Sequence, residues 1–193
     1  STPEMIIVKG RDNSTRRWAV YHKTIGNTGG LYLEATGATL TSANLWNNTS
    51  PTSSVFSVGL GGNLNTNTED YIAYAFHSVD GYSKVGSYTG NGSSDGTFVY
   101  TGFRPAYVMV KRTDSTDQWI IIDTERSVTN VMDDYLTANS SDAEVQGSAS
   151  IDFDYLSNGF KARQGGTWSQ NASGGTYIYI AFAESPFKHT NAR

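Results

Sequence analysis

Two stretches of this chain carry the same strand pattern. Pro3-Glu4-Met5-Ile6-Ile7-Val8-Lys9, a polar turn and Trp18-Ala19-Val20-Tyr21 are matched by Pro105-Ala106-Tyr107-Val108-Met109-Val110-Lys111, a polar turn and Trp119-Ile120-Ile121-Ile122. Each copy closes on a related strand, Tyr71-Ile72-Ala73-Tyr74-Ala75-Phe76 in the first and Tyr177-Ile178-Tyr179-Ile180-Ala181-Phe182 in the second. An internal repeat of this kind restricts the fold to one that can be built twice from the same frame. The spacing between matched residues changes little along the copy, so the copies differ mainly in loop length. Shared features are expected to be scaffold, and unshared ones are where function is sought.

The rest of the chain agrees with a strand-rich reading. Gly, Ser, Thr and Asn are abundant, only 17% of residues are charged, and 12 tyrosines contribute to an aromatic content of 12%. Short β-branched or aromatic runs recur between polar turns, which predicts strands near 5–8, 18–22, 30–34, 54–58 and 71–77, and again near 106–111, 118–123, 150–156, 159–163 and 176–183. Residues 127–136 are the one place where a helical turn is expected. The predicted fold is all-β: a β-sandwich of jelly-roll or lectin-like character over residues 1–193, with repeat halves 3–80 and 105–188 sharing one core. Between them, residues 81–104 alternate on either side of a glycine-rich turn and are expected to form a connecting hairpin.

Composition also excludes several functions. With 14 basic and 18 acidic residues the net charge is −4, and no basic stripe exists to track a phosphate backbone, so nucleic-acid binding is not expected. No apolar run is long enough to cross a bilayer as a helix, so membrane insertion is not expected either. The chain has no cysteine, which removes disulfides, thiolate metal sites and a cysteine nucleophile together. It opens directly on a strand pattern, and is expected to be a piece of something longer.

The stretch Gly81 to Asp117, the run Tyr177 to Lys188 and the terminal Asn191-Ala192-Arg193 resemble a domain of unknown function of tailed bacteriophages, many of them marine. The hairpin followed by Phe103-Arg104-Pro105 is the most specific part of that resemblance. Such domains commonly stand at the C-terminal end of tail-fibre or minor tail proteins. The resemblance implies an extracellular place on the virion surface, in the tail, and brings with it no catalytic or binding residues. Fibre architecture in general suggests a homotrimer, although no heptad is present. A virion protein assembled in a reducing bacterial cytoplasm has no use for disulfides.

Aromatic residues unique to one copy are the first candidates for a binding site. Trp46 and Trp168 both stand among Asn, Ser, Thr, Gln and Gly, in apparent loops. An indole there can stack on the apolar face of a sugar while a neighbouring amide such as Asn47 bonds its hydroxyls. Trp46, Asn47 and Trp168 are therefore the expected ligand-binding residues, with host cell-surface polysaccharide as the partner. The opposing reading of each tryptophan is a cap on the core beneath a long loop. Trp18 and Trp119 occur in both copies and are assigned to packing.

Metal and enzyme chemistry have weaker signals. Asp114 with Asp117, and Asp133-Asp134 with Asp142 and Glu144, offer hard oxygens but lack the spacing of a calcium loop, and read as solvated turns. No cofactor or metal is expected. A Gly-x-Ser-x-Gly elbow is absent, and the three histidines lie in dissimilar contexts. Glu34, Glu69, Glu144 and Glu184 are the carboxylates from which a glycosidase pair would have to be drawn. A non-enzymatic attachment module is the expected function. The rivals are a decoration or tail-assembly domain that binds other virion proteins, and a polysaccharide depolymerase.

Overall fold

In the computed structural model, which describes residues 1–164 and 170–185, the chain is all-β with several antiparallel sheets. It divides into two compact units, Ser1–His77 and Ser78–Arg193.

In the first unit, β1 (Met5–Gly10), β2 (Ala19–His22), β3 (Gly29–Tyr32), β4 (Leu40–Thr41) and β5 (Tyr71–Phe76) form one sheet in the order β4-β3-β2-β1-β5. One face of it carries Ile6, Val8, Ala19 and Tyr21 into a core whose other side is not a sheet. That side is a single helical turn, α1 (Ala43–Trp46), followed by irregular chain, and it contributes Leu45, Trp46 and Leu64, with Phe56 and Val58 packed alongside. Ser42 starts the turn by accepting the Asn44 N–H, and Asn47 ends it in the left-handed region at φ 52. These are the residue types that cap a helix at each end.

The second unit is a two-layer sandwich. Strands β6 (Ser83–Thr89), β8 (Pro105–Arg112), β9 (Trp119–Asp123), β10 (Leu136–Thr137) and β13 (Thr176–Ala183) form a sheet in the order β10-β9-β8-β13-β6. Strands β7 (Thr97–Tyr100), β11 (Phe153–Leu156) and β12 (Gly159–Ala162) form the other, in the order β11-β12-β7. Inward residues of both sheets meet in one core: Val108, Val110, Ile120, Ile122, Tyr177 and Tyr179 from the first, Val99, Phe153, Tyr155 and Phe160 from the second. Tyrosines serve here because each has a polar end to satisfy. Tyr155 donates to the Ile122 carbonyl at 2.8 Å, Tyr88 donates to the Gln170 carbonyl at 2.7 Å, and the Tyr177 hydroxyl accepts the Ala172 N–H at 3.0 Å.

The repeat is reproduced down to the register. In the first unit Met5 pairs with His22 and Ile6 with Tyr21; in the second Tyr107 pairs with Asp123 and Val108 with Ile122. On the other side of the same strand, Met5 stands opposite Phe76 as Tyr107 stands opposite Phe182. Three strands, β1-β2-β5 and β8-β9-β13, thus make one frame used twice. What differs is the cover: a helical turn and loops in the first unit, a second sheet in the second.

Three expectations are corrected here. Residues 81–104 are not a hairpin, since β6 pairs with β13 and β7 with β12, in different sheets. The link crosses between the layers because Tyr88 and Val99 enter the same core from opposite sheets. Asn171, wholly buried, holds this arch. Its Oδ1 accepts the Asn91 N–H at 3.0 Å, and its Nδ2 donates to Asn91 Oδ1 at 2.7 Å and to the Ser93 carbonyl at 2.9 Å. Residues 54–58 alternate like a strand but form none; Phe56 and Val58 face the core from irregular chain. Residues 127–136 hold bends, two isolated bridges and the start of β10 rather than a helix. Of the two clusters described above, one falls in each unit, and residues 78–104 belong to the second unit.

The matched lysines also share a task. Lys9 bonds the carbonyls of Asn13, Ser14 and Arg16, tying down the turn that follows β1. Lys111 is fully buried and donates to the Arg112 carbonyl at 2.6 Å. Burial lowers its pKa to about 8, against the opposing pull of Asp117. Between about pH 8 and the ordinary lysine value near 10.4 the unfolded chain therefore binds a proton that the folded chain does not, so stability rises with pH across that window. Above it the buried tyrosines reverse the trend, because Tyr107 is raised by burial to about 12. We expect urea midpoints to climb from pH 8 to 10, and Lys111→Met to flatten that climb.

Candidate functional site

Of the three residues expected to bind, the structure describes Trp46 and Asn47 and puts them in different surroundings. Trp46 is only 1% exposed: its ring packs edge-on to Tyr21 at 5.7 Å in the core of the first unit, with room made by the missing side chain of Gly30. It offers no face to a sugar, which corrects that assignment. Asn47 is exposed, but its backbone serves as the cap of α1, with its N–H bonded to Ala43 O and its carbonyl accepting Thr49 Oγ1. Trp168 lies outside the described residues.

Most of the carboxylates weighed for catalysis or metal binding are held by protein partners. Glu69 pairs with Arg16 at 2.6 Å, Glu34 with Arg17 at 2.6 Å, Glu144 with Arg126 at 2.7 Å and Glu184 with Arg104 at 2.9 Å. Asp114 chelates Arg112, which holds its pKa down to about 2, and accepts the Thr176 N–H. Asp134 accepts the Gly147 N–H, and Asp117 that of Gln118.

A more suitable face lies on the outside of the β11-β12-β7 sheet. Alternation along β7 sends Val99 into the core and leaves Phe98 46% and Tyr100 63% exposed. They are two residues apart on one strand face, about 7 Å. The cross-strand rows complete the surface: Phe98 stands beside Lys161 and then Asp154, and Tyr100 beside Gly159 and then Leu156. Gly159 has no side chain, and the Phe98 ring edge comes within 3.1 Å of where its Cβ would stand, so the ring lies over bare backbone. Around this apolar strip is a charged rim. Lys161 bonds Asp95 and lowers the pKa of that carboxyl through the hydrogen bond, and Arg163 pairs with Asp154 at 3.1 Å.

Two exposed rings on a flat sheet, bordered by carboxylate and cationic groups, can take a ligand that is apolar on its face and polar at its edge. Sequence reasoning missed Phe98 and Tyr100. They lie in Thr97-Phe98-Val99-Tyr100-Thr101-Gly102-Phe103, where either alternation set could face the core. The available signal was that 81–104 has no counterpart in the first copy.

Frame, cover and exposed face together define a duplicated all-β domain. The chain belongs to the family described as Domain of unknown function (DUF7483), which matches residues 1–186. No curated protein and no solved structure matches the chain.

Proposed function

We propose that this domain is a non-enzymatic surface module of a tailed-phage virion, a distal tail-fibre domain that attaches to host polysaccharide. The observation that carries the binding reading is the exposed pair Phe98 and Tyr100 on a flat sheet face with a charged rim. Sugar rings stack their C–H faces on such aromatics, and their hydroxyls find Asp95, Asp154, Lys161 and Arg163 at the edge. The resemblance of the 81–117 segment to tailed-phage domains supports the place on the virion. A shallow face gives weak affinity per domain, which multivalent display on a fibre multiplies.

The test is binding of a labelled, multimerised domain to a glycan array and to a panel of marine bacteria. Wild type is expected to bind selectively. Phe98→Ala with Tyr100→Ala is expected to weaken monovalent binding by about 5- to 150-fold, corresponding to two aromatic contacts of about 0.5–1.5 kcal/mol each. Equal binding by a folded double variant rejects this site; binding to no glycan and no cell favours the assembly reading. Release of reducing sugar ends would establish the depolymerase instead.

A further inference from the structure

The two copies of the frame finish differently at one edge. In the second unit, β13 is flanked by β8 on one side and by β6 on the other, with antiparallel pairs running from Thr176 opposite Thr89 to Phe182 opposite Ser83. In the first unit the equivalent strand β5 pairs with β1 and is the last strand of its sheet among the described residues. Among the described residues, an edge filled in one copy stands open in the other.

Open edges are ordinarily blunted by charge, proline, a bulge or a covering group. The sheet edge at β6 is treated in this way: the Val85 N–H, which would otherwise point outward, donates to Ser78 Oγ at 3.0 Å. β5 has no such device in its sequence. Ile72, Ala73, Tyr74 and Ala75 carry no charge and no proline, all four are exposed, and Ile72 and Tyr74 are 38% and 43% exposed. Uncharged, β-prone and unblunted, this is an edge that takes up another strand.

We propose that β5 is a self-association site at which it pairs antiparallel with β5 of a second copy, joining two five-stranded sheets into one. This goes beyond the polysaccharide reading and does not depend on it. The neighbour of the matching strand β13 shows the direction in which this frame accepts a strand. The second copy is favoured over other occupants by self-complementarity. Around a two-fold axis at Ala73, Ile72 of each chain stands opposite Tyr74 of the other on one face. On the opposite face Ala73 meets Ala73 and Tyr71 meets Ala75. Bulky residues thus meet bulky ones on the first face, and no like charges are opposed over residues 72–75. Such an isologous contact closes with two chains.

Because the sequence has no cysteine, Ala73→Cys introduces a single thiol at the axis. Directly opposed residues of antiparallel strands lie about 4.5–5.5 Å apart at Cα, within disulfide range. Under mild oxidation Ala73→Cys is expected to cross-link into dimers at micromolar chain concentration. Ser93→Cys, an exposed control in the second unit, is expected to stay largely uncross-linked. Sedimentation velocity over a concentration series is expected to show a monomer–dimer equilibrium for the wild type. Ile72→Lys with Tyr74→Lys is expected to shift it at least tenfold toward monomer, with an unchanged circular dichroism spectrum. A wild type that stays monomeric throughout overturns the proposal. So does an assembly that survives the double lysine variant, or a trimer in which Ala73→Cys does not cross-link.

Discussion

Trp46→Ala is expected to destabilise the first unit by about 3–5 kcal/mol, the range for removing a large aromatic from a packed core. Trp46 is 1% exposed, meets Tyr21 edge-on, and with Leu45 supplies much of the cover over Ile6, Val8 and Ala19. Whole-domain stabilities are only about 5–15 kcal/mol, so the loss is a large share of what holds the unit. Urea unfolding measures it, and hydrogen exchange at the amides of β1 and β2 localises it. Trp46→Phe retains most of the buried ring and is expected to cost much less. A folded Trp46→Phe variant that lost polysaccharide binding would restore the indole as a contact residue and remove the reading given above.

Gly96→Ala is expected to cost about 3 kcal/mol or more, at the upper end of what overpacking does. A Cβ at this position would lie 1.4 Å from the Ala162 carbonyl oxygen. That oxygen belongs to backbone at the end of β12, where the ladder to β7 begins with Thr97 opposite Ala162. No rotamer change relieves such a clash, so the strand bearing Phe98 and Tyr100 must move away from its neighbour. The variant is therefore expected to lower the thermal midpoint and to weaken ligand binding together. Gly37→Ala is the matched control: nothing lies within 4 Å of its Cβ position, and a change within about 0.5 kcal/mol is expected. Equal midpoints for the two variants would show that β7 and β12 are not packed as described.

The frame was legible in the sequence because it was written twice. Matching Pro3 to Pro105, Trp18 to Trp119 and Phe76 to Phe182 identified three strands per copy, and the pairing register follows that alignment residue by residue. The covers were less legible. Ser54 to Val58 has the period of a strand, yet period alone says only that Phe56 and Val58 face one way; a strand also needs a neighbour to bond. The 81–104 segment misled in a similar manner. Its glycines suggested a tight turn, whereas Gly90 and Gly96 are there because the backbones of Ala172 and Ala162 come too close for a side chain. That requirement comes from residues more than 60 positions away and leaves no local trace.

The candidate site was hidden for a different reason. Tryptophan among polar residues reads as an exposed loop, but the residues around Trp46 are polar because they cap a helical turn whose Leu45 and Trp46 are buried. On β7 the exposed rings and the core residues alternate within one short strand, and hydrophobicity does not separate them. Only the sheet packed against this one, whose Val108, Val110 and Tyr179 share a core with Val99, settles which set is outside.

A frame that fixes its own register has a consequence for how such a domain can change. The strands β1, β2 and β5 align one another through their ladders, as β8, β9 and β13 do, and neither set relies on its cover for alignment. The cover can then be rebuilt wholesale, from a helical turn to a three-stranded sheet, without misthreading what lies beneath. Within this one molecule the same walls already carry two different roofs. A change of roof accordingly leaves the walls unaltered.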